Sequence, residues 1–78
     1  MDVRKLPALR RALGLLLAAD TADFMGAARA HNLAARTVAP WAGCGPVGHA
    51  HELIAGGRTR LAIQAMRNAI ARAVNGAL

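Results

Sequence analysis

Apolar side chains recur along this chain at three- and four-residue steps, and no segment sustains a period-two alternation. Leu6, Leu9, Leu13, Leu16 and Leu17 share one face, with Arg10, Arg11 and Gly14 away from it. That spacing predicts a helix over residues 7–19, with Pro7 in its first turn, where a missing N–H is no loss. Asp20 and Thr21 are able N-caps and Asp23 adds negative charge after them, so a second helix is expected over residues 22–31. Asn32 tolerates the left-handed conformation that ends a helix; Leu33 follows the turn, and a third short helix is expected from Ala34 or Ala35. The run GCGPVG, residues 43–48, reads as a loop, and HAHELIA after it as one or two helical turns closed by Gly56-Gly57. Residues 59–75 form the cleanest amphipathic pattern. Ala62, Ile63, Met66, Ala69, Ile70, Ala73 and Val74 line one side, Gln64, Arg67, Asn68, Arg72 and Asn75 the other, and Gly76 ends it. The expected fold is all-α, with four to five short helices.

The 78 residues make one domain, 1–78, without an internal repeat. Much of the apolar content is alanine, which buries little area, so the expected core is thin and a homodimer would support it. The final amphipathic helix is the expected dimer contact. Ten cationic side chains stand against four acidic ones, for a net charge of +6, which favours a polyanionic partner. The arginines are spread along the chain rather than gathered in a tail, so a folded surface must bring them together. Cys44 is the sole cysteine, which fits a reducing, cytoplasmic setting. The apolar run at 12–19 is bounded by Arg10-Arg11 and Asp20 and lacks a small-x-small site, so it reads as a helix and not a secretory signal. It is too short to cross a bilayer.

The stretch AARAHNLAARTVAPW, residues 27–41, carries the most specific pattern. A small residue, Ala28, suits a close helix crossing; Asn32 suits a turn four residues on; Leu33 plugs the corner; Val38 and Trp41 share a face. This stretch resembles the helix-turn-helix of phage repressors, Cro-like proteins and small prophage or toxin–antitoxin regulators. In that family a small residue, a turn glycine four later, an apolar residue six beyond the glycine and another three after it form the framework. Ala28, Asn32, Val38 and Trp41 occupy those places. The resemblance departs at Asn32, which replaces glycine, at His31, where an apolar residue is common, and at Pro40, which removes a backbone hydrogen bond.

The resemblance implies a helix-turn-helix over about residues 22–42 and a dimeric, sequence-specific regulator of transcription. Its helix at 34–42 would lie in the major groove of double-stranded DNA. Arg36 would make a bidentate base contact, Thr37 a phosphate or base-edge contact, and Ala34, Ala35 or Ala39 a thymine-methyl contact. Arg29, Arg10 and Arg11 would hold phosphates, with Arg58 or Arg60 further candidates.

Other chemistry is sparse. Cys44, His49 and His51 fall within eight residues, but their spacing matches no standard zinc site, so a solvated loop is expected and no metal or cofactor. No nucleophile has a visible orienting partner, and GGRTR lacks the phosphate-loop lysine, so an enzyme is not expected. Two other classes compete with DNA binding: a small basic protein that binds another protein, as a phage-type inhibitor or adaptor, and a membrane-surface peptide built on the first helix. No membrane partner is expected, because the capped later helices and Trp41 imply a fold.

Overall fold

The structure, a computed structural model, describes residues 3–43 and 45–76. Among them are four α-helices and no strand: α1 (Lys5–Thr21), α2 (Phe24–Val38), α3 (Gly45–Ala55) and α4 (Thr59–Gly76). A 3₁₀ turn, Ala39–Trp41, joins α2 to α3. The expected all-α fold is what the chain adopts.

The helices stand in a ring, α1 against α2 and α4, α3 against α2 and α4, within a body of 39 × 19 × 18 Å. Asp20, near the end of α1, meets Arg60 at the start of α4. At the opposite end Lys5 and Gly76 line one cavity. Thr37, late in α2, faces Arg4 and Arg11, early in α1. Neighbouring helices are therefore antiparallel. The long leucine-bearing helix and the final amphipathic helix stand where the apolar spacing puts them, each a little longer than its predicted range at the N- or C-terminus.

The core takes one stripe from each helix. Leu9, Leu16, Val38, Ile54 and Met66 are its largest fully buried side chains, each contributing on the order of 2 kcal/mol by removal from water. Seven of the fourteen buried residues are alanine, so the helices approach closely but bury little area per position. No polar or charged residue is buried among the described residues. The apolar side of α4 lies inside this core through Ala62, Ile63, Ala65, Met66 and Ala69, which leaves only Leu61 and Val74 as exposed large hydrophobics of that helix.

Local chemistry sets the ends. The Asp23 carboxylate caps α2 by accepting the Gly26 N–H at 2.7 Å, so the cap falls three residues after the first candidate, Asp20. Gly57 ends α3 with φ +73°. Its N–H donates to the Ile54 carbonyl and that of Arg58 to the Leu53 carbonyl, the crossed pair of a Schellman turn. Gly48 permits a close approach, since a Cβ there would lie 3.2 Å from the Ala42 carbonyl oxygen.

The expected turn at Asn32 is absent, which corrects the helix-turn-helix at 22–42. α2 runs unbroken through it for 15 residues, and no described residue other than glycine has positive φ. The reason is energetic: asparagine is only about 0.6 kcal/mol poorer than alanine inside a helix, too little to stop one rich in alanine. Leu33 is consequently 48% exposed rather than plugging a corner, and Ala28 is exposed rather than at a crossing. Val38 is fully buried and Trp41 half-buried against the core, as the spacing suggested. Pro40 begins no long helix; it sits in the 3₁₀ turn. The predicted loop at 43–48 is shorter, because Pro46 and Gly48 lie in the first turns of α3. Cys44 lies outside the described residues.

Candidate nucleic-acid interface

With one straight helix in place of two, the positions of the basic side chains change. Along α2, Ala34 and Val38 point inward, so Arg29, Leu33 and Arg36 fall on the outward side. All three are exposed, and Arg29 and Arg36 stand about 10 Å apart along the axis. Beside them runs the first half of α1. Val3, Arg4, Pro7, Ala8 and Arg11 line, with Thr37, a depression of about 300 Å³ between the two helices. The α1–α2 face thus presents Arg4 and Arg11 from one helix and Arg29 and Arg36 from the other.

Three acids fall among the described residues. Asp20 sits 3.6 Å from Arg60 on the α4 side, Asp23 caps α2, and Glu52 is on α3. Arg11, Arg29 and Arg36 carry like charge on the α1–α2 face and reinforce one another's field.

The residues expected to contact DNA divide accordingly. Arg11, Arg29, Arg36 and Thr37 come together on this face. Arg10 does not: it lies about 100° around α1 from Arg11, toward the α4 side. Ala35 is half-buried and packs against the core, in the helical phase set by its fully buried neighbour Ala34. Ala39 is exposed but belongs to the 3₁₀ turn, beyond the end of α2. The Thr37 hydroxyl donates to the Leu33 carbonyl at 2.7 Å, so it reaches a phosphate as a donor only by releasing that bond. Arg4 joins the set although the sequence reading passed over it; its seven-residue spacing from Arg11 was the available signal.

The histidines form no shared centre. His31 Nε2 lies 2.8 Å from Thr59 Oγ1, His49 is exposed on α3, and among the described residues no three His, Cys, Asp or Glu side chains gather as metal ligands. A second depression, about 360 Å³, opens between Lys5, Pro46, Val47, Ala69 and Arg72. No described helix is long and apolar enough to cross a membrane. Comparison with family models, curated proteins and solved structures finds no match to this chain.

Proposed function

We propose that this chain binds double-stranded DNA through its α1–α2 face, with Arg11, Arg29 and Arg36 on the phosphate backbone. The observation that carries this reading is the three exposed guanidinium groups that α1 and α2 present on one face. Phosphate contacts of this kind give affinity by releasing condensed counterions and carry no sequence information of their own. The net charge of +6 adds long-range attraction.

Transcriptional regulation by base reading is the second reading, and one feature favours it. Arg29, Asn32 and Arg36 are exposed at successive turns of a straight helix, and both residue types make bidentate contacts to purine edges. α2 itself would then enter the major groove, in place of a helix beginning at Ala34.

Fluorescence anisotropy with several duplexes of equal length and unrelated sequence separates the two. Backbone binding gives comparable affinity for all of them at low salt, and Arg36→Ala weakens each alike. Base reading gives one favoured duplex whose advantage Arg36→Ala removes. A chain that binds no duplex at low salt ends both readings and leaves a protein partner as the alternative.

A further inference from the structure

Ala69, Arg72, Ala73 and Gly76 follow one another at three- and four-residue steps, so they share one side of α4. Except for Arg72, none of them carries more than a methyl group. Where that side meets the first turns of α1 and α3, the helices therefore leave a cavity of about 360 Å³ between them. Its volume lies at the small end of the roughly 300–1,000 Å³ of ligand pockets. Val47 and Ala69 are buried and, with Pro46 and Ala73, make the floor apolar. Two cations reach the cavity from different helices. Lys5, half-buried, opens α1, and Arg72 is exposed late in α4. Neither side chain forms a hydrogen bond or ion pair with another described residue.

We propose that this cavity binds a short-chain alkyl carboxylate, with the chain on the floor of Val47, Ala69 and Ala73 and the carboxylate held by Lys5 and Arg72. The lining selects the ligand by what it can satisfy. A sugar or a nucleobase brings several donors and acceptors that must be matched on leaving water, and Lys5 and Arg72 are the only lining side chains that hydrogen-bond. Both are donors only, so they call for an acceptor that carries negative charge. The guanidinium fork of Arg72 matches the two oxygens of a carboxylate, and the Lys5 ammonium adds a second charge beside it. A bare anion leaves the apolar floor wet, and a neutral hydrocarbon leaves both cations unused. An alkyl chain ending in a carboxylate uses both parts of the lining. The cavity shares no lining residue with the depression on the α1–α2 face, and the proposal does not rest on DNA binding.

The test is a titration of the isotope-labelled chain with octanoate, below its micelle concentration, followed by amide NMR. Salt at about 0.1 M screens the diffuse attraction of anions to a chain of net charge +6. Saturable shifts centred on Val47, Ala69 and Ala73 are expected, with a Kd on the order of 1 mM or tighter for so small a ligand. Acetate, which lacks the chain, and octanol, which lacks the charge, should each bind at least about tenfold more weakly. The double variant Lys5→Gln, Arg72→Gln should weaken octanoate binding at least about tenfold. Arg10→Gln with Arg67→Gln removes the same charge from the same two helices at exposed positions outside the cavity, and should change the Kd less than about twofold. Circular dichroism should report unchanged helix in both double variants.

Shifts that spread over the surface without saturating overturn the site. Acetate or octanol binding as tightly as octanoate overturns the ligand class. A control pair that loses as much affinity as the Lys5 and Arg72 pair overturns the assignment of the two cations. None of these readouts involves a duplex, so a failure of DNA binding leaves them unchanged.

Discussion

The imidazole Nε2 of His31 lies 2.8 Å from the hydroxyl oxygen of Thr59, joining the middle of α2 to the first residue of α4. This part-buried bond spans 28 residues and links helices that are otherwise not direct neighbours in the ring. It fixes how far α4 stands along α2. Replacing one partner leaves the other without its bond, so His31→Ala and Thr59→Val should each cost about 1 kcal/mol of unfolding free energy. The double variant should lose clearly less than the sum of the two, because both remove the same bond. Urea denaturation of the four proteins checks this, and strictly additive losses would contradict the link.

Asn32 distinguishes the continuous helix from a turn most directly. In a left-handed helix cap, glycine is as good as asparagine or better, and alanine is penalised by its Cβ. Inside a helix the order reverses. Asn32→Ala should stabilise the chain by about 0.5 kcal/mol and Asn32→Gly should destabilise it by a few tenths. Thermal unfolding gives the sign of each, and a stabilising glycine would restore the turn.

Two glycines should respond oppositely to the same change. Gly14 is exposed within α1 and nothing lies within 4 Å of a Cβ built on it. Gly14→Ala should therefore stabilise by about 0.5–1 kcal/mol, through backbone entropy and helix propensity. Gly57 has equally open surroundings but a φ of +73°. Gly57→Ala should destabilise by about 1 kcal/mol, since a side chain there is strained however much space surrounds it. Chemical denaturation of both variants checks the pair, and a stabilised Gly57→Ala would mean that the Schellman turn does not form.

The helices that were legible in the sequence are those whose apolar side chains are large. Leu9, Leu13 and Leu16 define the phase of α1, and Ile63, Met66 and Ile70 that of α4, because burying them outweighs any competing local preference. Residues 27–39 offer little such contrast: in AARAHNLAARTVA the alanines fit inside or outside, so the inward stripe of Ala34 and Val38 is decided by packing against α1 and α3. Reading a turn at Asn32 misplaced Leu33 and Ala35 through that one choice. The basic character of the site was visible in the charge count. Which arginines share a face was not, since Arg10 and Arg11 are adjacent in sequence yet point to different sides once the phase of α1 is fixed. Arg29 and Arg36 share a side only because α2 is continuous: a seven-residue step returns to nearly the same side of one helix, whereas a turn at Asn32 puts the two on different helices.

The salt dependence of duplex binding tests the central claim most directly. Each phosphate contact adds about 0.9 to the slope of log K against log salt concentration. Replacing Arg11, Arg29 and Arg36 together by alanine should thus flatten the slope by about 2.7, with affinity falling equally for unrelated duplexes. Replacing Arg10 and Arg67, exposed away from that face, should change the slope much less. A triple variant that keeps the parent slope, or a control pair that loses as much per arginine, would contradict binding through the α1–α2 face.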